Sequence, residues 1–132
     1  MPALGEYVQH ADWKAEKHVP VIDCPDTVKA DEMFRVNISL GKEIAHPNTT
    51  EHHIVWIGLY FQPHGEKFTY EISRSYFGAH GASTAGPNQG PVYTHHAVDV
   101  WMKTTKPGIL FSRAFCNIHG LWEDSKEISV VS

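Results

Sequence analysis

FRVNISL, residues 34–40, sets Phe34, Val36, Ile38 and Leu40 at alternate positions, with polar residues between them. A period of two belongs to a strand with one buried face, because successive side chains of an extended chain point to opposite sides. IVWIGLYF (54–61), FTYEISRSY (68–76), AVDVWMK (97–103), ILFSRAFC (109–116) and EISVV (127–131) continue the series, and QPHGEK, GPNQGP and KTTKPG supply turns between them. IVWIGLYF is apolar on both sides, as a strand covered on both faces would be. Strand follows strand; only EYVQHADWKAEK (6–17) could support a short helix, and its HADWK reads as easily as loop. FGAHGASTAGPNQGP (77–91) has the small-residue composition of a long mobile loop. Short strands at near-regular spacing predict an all-β fold, an antiparallel sandwich or barrel.

The 132 residues suit one domain, 1–132, able to bury a single core without disulfide staples. Eleven Lys and Arg stand against fifteen Asp and Glu, a formal charge of −4 without a basic, aromatic-rich cluster, which argues against a nucleic-acid partner. No segment approaches the roughly 20 apolar residues of a membrane span, and MPALGEYVQHADWK lacks the basic-then-apolar order of a leader. A soluble, intracellular protein is expected. With only Cys24 and Cys116, the chain is not a disulfide scaffold, whereas its ten histidines are an unusual number.

FCNIHG (115–120) puts Cys116 three positions before His119, a spacing at which one turn can bring a thiolate and an imidazole onto one ion. The pair could equally be a packed free cysteine at a strand end, or part of a cysteine nucleophile. AHPNTTEHHIVW (45–56) adds His46 and the doublet His52–His53, joined by turn-forming Pro47-Asn48-Thr49-Thr50. If the doublet is extended, its two rings face opposite ways and only one can reach a shared site. EKHVP (16–20) contributes His18 behind Glu16 and Lys17. Were His18, His46, one of His52 or His53, Cys116 and His119 to converge, they would be five donors, one more than a structural zinc site takes. Five donors leave an octahedral ion one open position. A single thiolate opposite that position would push electron density toward whatever binds there, as the cysteine ligand of P450 haem does.

EKHVPVI, GKEIAHPNTTEHHI and CNIHGLWE, in this order from His18 to Glu123, resemble the superoxide reductases, the family that includes neelaredoxin and the catalytic domain of desulfoferrodoxin. The resemblance implies an immunoglobulin-like, seven-stranded β-sandwich. It also implies a mononuclear non-haem iron held by His18, His46, His52 and His119 in one plane, with Cys116 as the axial ligand. The choice of His52 over His53 rests on the resemblance alone. Glu16 matches a carboxylate that fills the open position when the iron is oxidised, and Lys17 a residue that attracts superoxide and helps position the water that delivers a proton. The activity implied is one-electron reduction of superoxide to hydrogen peroxide, with the iron restored by an external donor such as rubredoxin. A homo-oligomer, often a homotetramer, and a cytoplasmic location complete the expectation. The four-cysteine iron site that desulfoferrodoxin carries in addition has no counterpart here, which matches the one-iron, neelaredoxin type.

Two other readings compete. A cupredoxin would combine histidines with a late Cys and His, but it would use a methionine a few residues beyond His119, where GLWEDSKEISVVS has none. A zinc-stapled binding module would need only four of the five donors. Cys24 reads as an inert packed thiol, and His10, His53, His64, His80, His95 and His96 as surface or packed residues. The YTHHAV doublet, His95–His96, is assigned no function.

Overall fold

A computed structural model of the chain describes residues 1–132. It contains strands β1 (Val21–Asp23), β2 (Thr27–Lys29), β3 (Phe34–Ser39), β4 (Ile54–Pro63), β5 (Tyr70–Tyr76), β6 (Ala97–Met102), β7 (Gly108–Cys116) and β8 (Gly120–Val131). One sheet has the order β1-β3-β6 and the other β2-β8-β7-β4-β5. The expected immunoglobulin-like sandwich is therefore formed. β1 and β2 are three-residue pieces of one stretch of chain that changes sheets across Cys24-Pro25-Asp26, so eight segments make seven strand passes. Pro25 has no N–H to give a ladder, which suits the crossing point. One pairing departs from the antiparallel expectation: β2 runs parallel to β8, Val28 opposite Val130. No helix is long and apolar enough to cross a membrane.

The alternation read from the sequence becomes the core. Val36 and Ile38 of β3 and Leu110, Ala114 and Cys116 of β7 are buried together with Ile57, Leu59 and Phe61 of β4. In β7 every second residue from Gly108 to Cys116 faces inward, and Ser112 fits that series because its Oγ–H donates to Gly58 O at 3.0 Å. β4 looks apolar on both sides for a reason the sequence does not display. A bulge between Ile54 and Trp56 shifts its register against β7, so Ile54 and Ile57 both face the core despite their odd spacing.

EYVQHADWKAEK does not form a helix. A 3₁₀ turn covers Leu4–Glu6, and then the main chain of Gln9 pairs with β8 instead, Gln9 N–H donating to Leu121 O (3.0 Å) and Glu123 N–H to Gln9 O (2.9 Å). Asp12 next folds the chain over itself, accepting from Lys14 N–H at its Oδ1 and from Ala15 N–H at its carbonyl. The 77–91 loop has no regular structure, but it is pinned rather than loose: Thr50 Oγ1–H donates to His80 O (2.7 Å) and Thr50 N–H to Asn88 Oδ1 (2.8 Å).

Leu110 is fully buried between the sheets. Leu110→Ala is expected to lower unfolding stability by about 2–5 kcal/mol, read from the denaturant midpoint at unchanged m-value. A loss below 1 kcal/mol would show that this part of the core collapses around the cavity.

Candidate metal centre

Cys116 is the last residue of β7 and stands in the inward-facing phase of that strand, so its sulfur sits where the apolar core ends and the loops begin. The strand then turns tightly through Asn117, Ile118 and His119 into Gly120, which lies opposite Cys116 in the β7–β8 ladder and has a positive φ of 81°. This turn brings His119 back over the thiol: its N–H approaches Cys116 Sγ at 3.4 Å, and its Nδ1 lies 3.7 Å from the same sulfur.

Two further loops supply imidazoles, the chain before β1 carrying His18 and the β3–β4 connection carrying His46 and His52. His52 Nε2 lies 3.2 Å from Cys116 Sγ and 3.3 Å from His119 Nδ1, while His18 Nε2 lies 3.1 Å from His119 Nδ1. The donor atoms of His18, His52, Cys116 and His119 all fall within 4.8 Å of one another. His46 stands beside this group, its ring centroid 5.0 Å from those of both His18 and His52. Its Nδ1–H donates to Pro47 O at 2.7 Å, and its Nε2 is buried without a hydrogen-bond partner. An orphaned buried nitrogen is costly unless something accepts its lone pair, and a cation shared with the neighbouring donors would do so. Three Nε2 atoms, one Nδ1 and one sulfur suit a borderline transition-metal ion.

The two rings of the doublet go opposite ways, although His52 lies in a bend just before β4 rather than in the strand. His53 turns away from the centre: its Nδ1–H donates to Thr49 O (2.9 Å) and its ring stacks on His80 at 3.5 Å. His52 is aimed inward by a turn in which Thr49 Oγ1 accepts from His52 N–H (3.0 Å) and Thr49 N–H donates to His52 O (2.9 Å).

Neutral imidazoles are what a metal requires, and burial favours that form at His46 and His52. Desolvation pushes His46 down to about 4. His52 is lowered as well, first by burial and then by the positive charge of His119, His18 and Lys17. Glu16 holds His18: its Oε1 accepts from the ring Nδ1–H at 2.6 Å and from His18 N–H at 3.2 Å, and the imidazole hydrogen bond is the main reason its carboxyl lies below the usual range. Such a carboxylate behind a ligand fixes the tautomer and turns the ring's other lone pair toward the ion. Lys17 is half-buried, makes no ion pair, and places its charge within reach of both His52 and Glu16. The centre is open on one side: His18 and Cys116 are buried, whereas His119 is exposed.

Sequence reasoning passed over the residues that tie these loops together. Asn117, between the two ligands of the hairpin, accepts from His53 N–H (2.9 Å) and donates its amide to Glu51 O (2.9 Å). Asn48 donates to Thr94 O (2.7 Å), which binds the His46 loop to the chain after the 77–91 loop. Trp122 stacks on His18. Asn117 and Trp122 lie inside the quoted CNIHGLWE stretch, so a signal was present; Asn48 gave none beyond its turn propensity. Of the remaining histidines, His10 and His64 pair with Glu123 and Glu127, His95 is exposed, and His96 is buried against His46.

Residues 10–125 match the desulfoferrodoxin family. The chain is 60% identical to neelaredoxin of Megalodesulfovibrio gigas over 127 residues, covering 96% of this chain and 98% of that protein. It is 50% identical to superoxide reductase of Pyrococcus furiosus, covering 92% and 95%. Superoxide reductase (neelaredoxin) from Archaeoglobus fulgidus in the reduced form superposes with a TM-score of 0.85 at 51% identity, over 92% of this chain and 98% of that one.

Single replacements separate the doublet. His52→Ala is expected to lose bound metal on dialysis against a weak chelator, and His53→Ala to keep it; the reverse pattern in the metal content would overturn the division drawn from the geometry.

Proposed function

The chain belongs to the desulfoferrodoxin family and is a superoxide reductase, and we propose that it acts through one mononuclear iron held by His18, His46, His52, His119 and Cys116. The observation that carries this reading is the convergence of four of those donors within 4.8 Å, beside the unpartnered Nε2 of His46. When bound, the iron supplies the single electron with which superoxide and two protons become hydrogen peroxide.

The chain's own groups prepare that reaction. Cys116 contributes the one negative charge of the donor set, and the four imidazoles contribute none, so a divalent ion there keeps a net positive charge that favours an anion. Lys17 adds a second positive charge beside the open side, where an ammonium free of carboxylate partners draws superoxide inward and donates hydrogen bonds as peroxide charge develops. Its Nζ also orients the water from which a proton is taken. Glu16 holds His18 through Nδ1. For Glu16 to close the open position on oxidation, as the resemblance implies, its carboxylate must leave that nitrogen. The exposure of His119 keeps the site wet, which suits protonation and release of peroxide.

Electrons come from an external one-electron donor of the rubredoxin type, since the only cysteines are Cys24 and Cys116 and neither belongs to a second iron site. The working form is a cytoplasmic homo-oligomer, as in the tetramers of the family. Half-buried Trp56, Tyr60, Phe111 and Phe115 on the outer face of the five-stranded sheet support association.

Metal analysis of the purified protein is expected to give one iron per chain, with a thiolate-to-iron absorption band on oxidation that Cys116→Ser abolishes. Zinc or copper in its place, or a band that survives the substitution, would overturn the assignment. Lys17→Ala is expected to slow superoxide capture about tenfold at low ionic strength and less at high, because salt screens the attraction. A rate constant equal to wild type under both conditions removes Lys17 from the mechanism.

A further inference from the structure

Trp122 joins two parts of the centre that no strand pairing joins. Its ring stacks on His18 with centroids 5.0 Å and planes 19° apart, and its Nε1–H donates to the main-chain oxygen of His119 at 3.1 Å. His18 needs an outside support. The loop that carries it bonds largely to itself, through Glu16 N–H to Asp12 O and Val19 N–H to Glu16 O, and the ring's carboxylate partner, Glu16, belongs to the same loop. Apart from the imidazoles of the cluster, Trp122 is the aromatic ring packed on His18, and it comes from β8, the strand laid along β7 and its terminal Cys116. Its backbone is fixed in turn by the bridge to Gln9, whose hydrogen bonds to Leu121 and Glu123 flank it.

We propose that Trp122 is a positioning residue of the metal centre, whose indole holds His18 and the His119 turn in register with Cys116 and so slows loss of the ion. The inference rests on the reading of these residues as ligands. Two effects act in the same direction. A ring already held in place gives up less rotational freedom when it binds. The electron-rich face of an indole also favours a neighbouring imidazole that becomes more positive on coordination.

The test compares the iron-loaded wild-type protein with Trp122→Leu, which keeps apolar bulk without an aromatic face, and Trp122→Phe, which keeps a ring but loses the N–H. Each is mixed with excess chelator, and iron release is followed alongside the thermal unfolding midpoint. Trp122→Leu is expected to release iron about tenfold faster than wild type, the scale seen when partners behind a ligand are removed. Trp122→Phe is expected to recover a large part of that difference at a similar unfolding midpoint. Release from Trp122→Leu at the wild-type rate, or a Phe variant no slower than the Leu variant, would overturn the proposal. A wild-type protein that binds no iron would instead refute the ligand reading, so the two failures are distinguishable.

Discussion

Three ring nitrogens and a sulfur crowd together at one point: His18 Nε2, whose Nδ1 is committed to Glu16, lies 3.1 Å from His119 Nδ1, which lies 3.3 Å from His52 Nε2, itself 3.2 Å from Cys116 Sγ. A shared cation would satisfy these atoms at once, and the scaffold behind them holds them in place. Much of the structure outside the core is that scaffold. His46 is held by Pro47 O, His18 by Glu16, the His52 turn by Thr49, and the hairpin of Cys116 and His119 by the bonds of Asn117 to residues 51 and 53. At His18 and His46 the outer bond is made by ring Nδ1 and so fixes which nitrogen carries a proton and which lone pair is offered inward, whereas at His52 and the hairpin it holds the main chain that carries the ring.

The sandwich supplies the fixed end of this arrangement. β7 is central in its sheet, paired with β4 on one side and β8 on the other, and its strict alternation delivers Cys116 to the mouth of the core at 1% exposure. The histidines arrive on loops. A stiff strand therefore carries the one donor able to be anionic at this candidate site, and adaptable loops carry the imidazoles.

This division also explains what could be read in the sequence. ILFSRAFC showed the phase of Cys116 directly, and FRVNISL showed the opposing sheet, because a period of two depends only on neighbours along the chain. The β4 bulge did not show: Val55 is an extra residue only relative to Phe115 and Cys116, a relation that exists once the strands have paired. The anchoring of the 77–91 loop was hidden for the same reason, since Asn88 meets Thr50 across 38 residues. EYVQHADWKAEK read as a possible helix because its propensities are local, whereas the pairing of Gln9 with β8 that displaces the helix is not. The candidate donor set was legible only as three motifs taken together, and the choice between His52 and His53 came from the resemblance; the turn made by Thr49 is what places the His52 ring beside the other donors.

The chain carries two cysteines and no disulfide, yet its earliest and latest donors, His18 and His119, meet at 3.1 Å. An ion held by both closes a ring of about one hundred residues, and in a chain-entropy account a cross-link of that span restricts the unfolded ensemble by about 4–5 kcal/mol, less whatever metal binding the unfolded chain retains. A metal bound at this candidate centre would thus also be a long-range tie in the molecule, one that does not depend on an oxidising environment.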